Sequence, residues 1–180
     1  MAPITNGKSW ILTFTRKPIY PLNASVEHLD IEDIAHALSN QCRFSGHTSH
    51  FYSVAQHSVH VAELVADKFK FAALMHDASE AYLQDMPTPI KAMMPQYKEA
   101  EANLQVLIEQ KFGVSMSDFA KIVVKEADIK MLATEARDLM GDPQDWPTLQ
   151  DISPLDARIQ PWSPQFAKEQ FLKRYAEWSK

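Results

Sequence analysis

Ala73-Leu74-Met75-His76-Asp77-Ala78-Ser79-Glu80-Ala81-Tyr82-Leu83-Gln84-Asp85-Met86-Pro87-Thr88-Pro89-Ile90-Lys91 carries a helical period in its first half and helix-stopping punctuation in its second. Ala72, Ala73, His76, Asp77, Glu80 and Ala81 share one face of a helix expected from Phe69 to Leu83. Pro87 and Pro89 lack a backbone donor and end that helix beyond Asp85. Small residues on the face permit close approach by a neighbouring helix, and three ionisable side chains lie among them.

Upstream, Val54, His57, Val61, Leu64 and Val65 form one stripe of a helix from about Tyr52 to Lys68, which turns His57 inward. Gln41 to Ser53 has no sustained period, and its polar run from Arg43 to His50 reads as a loop of the kind that contacts ligands. Ile31, Ile34, Ala35 and Leu38 mark a further helix that Asp30 caps and that stops near Asn40. Before it, Trp10 to Thr15, Arg16-Lys17 and Pro18 to Pro21 read as a short β-hairpin or extended arm.

Downstream, Leu104, Leu107, Ile108 and Phe112 define a helix from about Pro95 to Phe112, closed by Gly113. Ser117 to Met140 is a longer helix whose inner stripe holds Val124, Asp128, Met131, Leu132 and Glu135, so two acids sit among apolar residues. Gly141 to Pro164 is rich in Pro and Asp and is expected to wrap the surface. A closing helix follows over Pro164 to Trp178. The fold class is all-α, a single compact helical domain with residues 1–29 as the arm, 30–140 as the helical core, and 141–180 as wrapping segment and last helix.

A chain of 180 residues, 46% hydrophobic and 23% charged, can bury such a core, and four glycines leave long stretches free for helices. The net charge of −5 disfavours duplex nucleic acid as a partner, although two or three cations in a pocket can still hold a small phosphorylated ligand. Cys42 is the single cysteine, which excludes a thiolate cluster and an intramolecular disulfide, so any metal must use His and carboxylates. No stretch reaches the roughly 20 apolar residues of a spanning helix, so no membrane partner and a cytoplasmic location are expected.

His76 and Asp77, with inward His57 and Asp128, form an N2O2 donor set suited to one divalent ion: Zn, Co, Mn, Fe or Ni, with Mg admitted by the oxygen-rich surroundings. Taken singly, each has a plainer reading: His57 as a hydrogen-bonded core histidine, Asp128 as a salt-bridge acid. Taken with Glu80 and Asp85, they are costly to bury together without a cation. His47, His50 and His60 read as exposed or supporting groups, and Glu135 as a salt-bridge acid for a neighbour such as Arg137.

The segment from Ala73 to Lys91 closely resembles the signature of HD-domain 5′-deoxyribonucleotidases and their phage and prophage relatives. Cys42-Arg43-Phe44, Tyr52-Ser53-Val54-Ala55-Gln56-His57-Ser58, Lys125-Glu126-Ala127-Asp128 and Ala133 to Leu139 extend the likeness over about Asp33 to Leu139. The resemblance implies that His57, His76, Asp77 and Asp128 hold the metal, that Glu80 orients or deprotonates the attacking water, and that Asp85 is the acid near the leaving oxygen. It matches Arg43 and Lys91 to phosphate contacts, and Phe44 to a position where related nucleotidases carry a tryptophan near the sugar.

The implied reaction is loss of phosphate from deoxynucleoside monophosphates. The same signature also occurs in triphosphohydrolases that cleave the same bond in deoxynucleoside triphosphates such as dATP and release the whole triphosphate, with Mg a fitting ion for such substrates. Arg16, Lys17, His47 and His50 are the candidates for β- and γ-phosphate contacts. A third reading is a regulatory module that binds replication proteins. A homodimer or larger homo-oligomer is implied by the family.

Overall fold

The computed structural model describes residues 9–141, 143 and 146–180; residues 1–8 of the expected arm and residues 142, 144 and 145 of the expected wrapping segment lie outside it. The arm begins with a two-stranded antiparallel hairpin in which β1 (Ile11–Leu12) pairs with β2 (Pro18–Ile19), Ile11 opposite Ile19 and Leu12 opposite Pro18. Ile19 is fully buried, which anchors the hairpin to the helices. Helices dominate the remainder, as the hydrophobic spacing predicts.

Helix α1 (Ile31–Asn40) starts where Asp30 accepts a hydrogen bond from the Glu32 amide, and it buries Ile34, Ala35 and Leu38. Helix α2 spans Val54–Glu63 and α3 spans Asp67–Leu74, so the expected single helix over 52–68 is broken at Leu64-Val65-Ala66. The break lets α3 fold back onto α2, and apolar spacing continues through it without a mark in the sequence. Short α4 (Glu80–Leu83) follows a turn over 75–79, and α5 (Thr88–Ala92) begins with Pro89 in its first turn. The prolines thus both end one helix and open another, since a first-turn position needs no amide donor.

Helix α6 (Pro95–Phe112) ends at Gly113, whose φ of 69° is left-handed, and α7 (Asp118–Leu139) is capped by Ser117. Helix α8 (Pro164–Trp178) closes the described chain and buries Phe171 fully. The packing centres on α2, which contacts α1, α3, α7 and α8. Gln56 of α2, itself fully buried, donates to the Gln160 carbonyl at 2.8 Å and accepts from the Trp162 amide at 2.9 Å, tying the segment before α8 to the centre. Among the described residues, no helix is long and apolar enough to cross a membrane.

Candidate metal centre

Three segments converge at the buried end of α2. His57 lies on α2, fully buried, and Asp128 lies on α7. His76 and Asp77 lie in the turn over 75–79 rather than on a continuous helix face. Successive side chains on an α-helix point about 100° apart, and this turn brings Asp77 Oδ2 to 3.2 Å from His76 Nε2. Here the turn is built from tight bonds, Ala78 N to Met75 O at 3.2 Å and Glu80 N to Asp77 O at 3.0 Å.

A side chain from α6 adds hydrogen bonds to the backbone of that turn. Gln105 Nε2 donates to the Met75 carbonyl at 2.9 Å, and Gln105 Oε1 accepts from the Ser79 amide at 3.3 Å. Gln41, just beyond α1, does the same on the other side, donating to Glu80 O at 2.9 Å and accepting from Asp85 N at 3.3 Å. Neither glutamine stood out in the sequence, because an amide that bonds backbone across the fold leaves no pattern in the chain.

One ligand atom each from His57, His76 and Asp128 lies within 4.8 Å of the others, a group able to hold a metal ion. Asp77 Oδ2 joins them at 3.2 Å from His76 Nε2 and 3.7 Å from His57 Nε2, and Asp128 Oδ1 is 3.2 Å from His57 Nε2. Both rings are held from behind. His76 Nδ1 donates to the Ala73 carbonyl at 2.7 Å, and His57 Nδ1 meets Glu135 Oε1 at 2.6 Å. Both inward nitrogens, His57 Nε2 and His76 Nε2, are buried and make no hydrogen bond. Carbonyl and carboxylate oxygens only accept, so in the neutral rings the proton sits on Nδ1 and a lone pair on each Nε2 faces the centre.

The loop before α2 brings in a cation. Arg43 N donates to Tyr52 O at 2.9 Å and Cys42 bridges to Ser53, which fixes the root of Arg43 beside the start of α2. Phe44 and Ser45 then take left-handed φ of 54° and 52°, a conformation costing about 1–2 kcal/mol per residue that the surrounding contacts must hold. The guanidinium sits between Glu135 Oε2, at 3.3 Å from Nη2, and Asp77 Oδ2, at 3.7 Å from Nη1. Phe44 lies below Arg43 and edge-on to Trp146 at 6.1 Å between ring centres.

Over 173 residues the chain is 44% identical to YfdR of Escherichia coli, an alignment covering 95% of this chain and 96% of the relative. The chain belongs to the YfdR family. It is 34% identical over 146 residues to RCAP_rcc00048 of Rhodobacter capsulatus, covering 74% of each. A shorter match, 31% identity over 98 residues, covers 45% of this chain and 50% of a Pasteurella multocida protein named 5′-deoxynucleotidase PM0747. No protein-family model matches the chain.

Electrostatics divide the acids of this YfdR-family centre into two kinds. Burial alone would raise Asp77 and Asp128, but the histidines outweigh it, His76 foremost for Asp77 and His57 for Asp128, and hold both well below the usual carboxylate range. Glu135 is likewise kept low, against burial, by Arg43 and His57. Burial raises Glu80 well above its ordinary value, reinforced by Asp77 and Asp85, and burial also raises Asp85 against the opposing charge of Arg43. Burial and Arg43 push His57 down, yet Glu135 and Asp128 prevail and lift it to about 9. A proton and a divalent cation would compete for the Nε2 lone pair of that ring.

Two cavities of the YfdR-family chain flank the cluster. One of about 250 Å³ is bounded by His76, Asp77, Glu80, Lys91, Lys98 and Gln105; Lys91 reaches it with Nζ 2.7 Å from Glu101 and 3.8 Å from Glu80. The other, of about 500 Å³, is bounded by Asn40, Gln41, Ser45, Gln84 and Asp85. Among the residues set aside at first, the His60 ring lies tilted against Trp162 with centres 4.8 Å apart, and Lys17 is engaged with Asp30 at 2.6 Å. Glu135 pairs with His57 and Arg43, whereas Arg137 pairs with Asp138 at 2.6 Å.

Proposed function

We propose that the chain is a metal-dependent phosphohydrolase of the HD superfamily that cleaves the 5′ phosphate ester of a deoxynucleotide, releasing phosphate from a deoxynucleoside monophosphate. The observation that carries this reading is the pair of buried Nε2 atoms without hydrogen bonds, each on a ring anchored through Nδ1 and each facing the same two carboxylates. His57, His76, Asp77 and Asp128 would hold one divalent cation, and their nitrogen and oxygen donors fit Zn, Co, Mn, Fe or Ni. Such a cation supplies Lewis acidity to the phosphoryl oxygens and to water, and a charge that draws Glu80 towards its carboxylate form.

The chain's own groups do the remainder. Arg43 presents a planar fork to the phosphate and Lys91 a point charge. Glu80 orients the attacking water and takes its proton as the new P–O bond forms, while Asp85 gives a proton to the 5′ oxygen as the old P–O bond breaks. Phe44 lies beside Arg43, where the sugar would follow the phosphate. The 31% identity with a protein named a 5′-deoxynucleotidase supports the choice of substrate.

A triphosphohydrolase is the second reading, favoured by the cavity of about 250 Å³ in which Lys91 and Lys98 leave room for further phosphoryl groups. Supplying one metal at a time to a panel of deoxynucleoside mono- and triphosphates, and separating the products, distinguishes the two. We expect phosphate from the monophosphates, and we expect His76→Ala and Asp77→Ala each to lose turnover and bound metal together. Normal turnover by Asp77→Ala, or a metal-replete sample that leaves every ester intact, overturns the proposal.

A further inference from the structure

Glu135 is fully buried in α7, and its two oxygens are divided between two other segments of the chain. Oε1 lies 2.6 Å from His57 Nδ1, across 78 positions of sequence, and Oε2 lies 3.3 Å from Arg43 Nε, across 92 positions. One carboxylate thus touches the back of a ring whose front nitrogen is unbonded, and the flank of a guanidinium at the same cluster. A lone structural ion pair needs only one such partner.

We propose that Glu135 is a positioning residue that sets the metal-holding and phosphate-holding halves of this site in register, a role that rests on the metal-dependent reading above. Through Oε1 it fixes both the rotation of the His57 ring and its tautomer. A carboxylate only accepts, so Nδ1 must carry the proton and Nε2 must keep the lone pair. The imidazole is rigid, and holding one nitrogen places the other. Through Oε2 it restrains the long, many-rotamer side chain of Arg43, which stands just before the left-handed Phe44-Ser45 turn. A shift of the carboxylate towards either partner moves the other.

Glu135→Gln separates this role from simple core filling. The amide keeps the shape and one acceptor oxygen but turns an NH2 group towards either His57 Nδ1–H or the guanidinium, so one of the two contacts becomes donor against donor. Loss of such a supporting carboxylate weakens metal binding by about 10- to 100-fold in comparable sites. We expect that loss for Co²⁺, titrated into the full-length variant against a competing chelator, together with an altered Co²⁺ absorption spectrum and weaker protection by inorganic phosphate. We also expect Arg43→Lys to weaken phosphate binding less in the Glu135→Gln background than in the wild type.

If the wild type binds Co²⁺ and Glu135→Gln binds it with the same affinity, spectrum and phosphate response, the positioning role is overturned while the metal-dependent reading stands. If the wild type binds no Co²⁺, that reading falls and this inference with it. Should Glu135→Gln fail to fold, ¹⁵N shifts of the His57 ring in zinc-loaded wild type decide: a proton on Nδ1 is expected, and one on Nε2 overturns the proposal.

Discussion

At the scale of single residues, Glu80 has a buried oxygen, Oε2, with no hydrogen bond, and burial drives its carboxyl towards the neutral form. It faces the cavity beside His76 and Asp77 and is not one of the His57, His76 and Asp128 group able to hold a metal. Glu80→Gln is therefore expected to retain bound metal while turnover falls by about 10²-fold or more, checked by metal analysis beside kcat. Loss of the metal in that variant would move Glu80 into the ligand set. Of the candidate donors, His57 and Asp128 were legible as inward positions of helical stripes, whereas His76 and Asp77, in the turn over 75–79, were marked out by residue type and by the resemblance. The partner of Glu135 was not: the nearest cation in sequence, Arg137, binds Asp138, and the true partners come from the first half of the chain.

At the scale of elements, α7 carries Asp128 and Glu135 to the centre, so the order of its first turn matters to a site ten residues on. Ser117 accepts from the Ala120 amide at 3.2 Å. Ser117→Ala is expected to destabilise the protein by about 1 kcal/mol in urea unfolding, with little change in turnover, since α7 also packs on α2 and α3. Helices with strong punctuation were readable to the residue: Asp30 before α1, Gly113 after α6, Pro164 opening α8. The interruptions at 64–66 and 75–79 were not, because the apolar period runs through both. The second is supported by a tertiary contact, since Gln105 of α6 bonds the Met75 carbonyl and the Ser79 amide.

At the scale of the whole molecule, α8 covers α1, α2 and α3, and Phe171 is completely enclosed in that contact. Phe171→Ala is expected to cost about 3–5 kcal/mol, seen as a lower urea midpoint, and to weaken the site indirectly by loosening α2. An unchanged midpoint would show that α8 is not part of the cooperative core. The Gln56 amide, meanwhile, finds its backbone partner at Trp162, 106 positions further along the chain. During synthesis at the ribosome, α2 must therefore wait for most of the later polypeptide to emerge before that amide and the apolar face around it are covered. Until then the nascent chain leaves the α8-facing side of the helix that holds His57 without its cover.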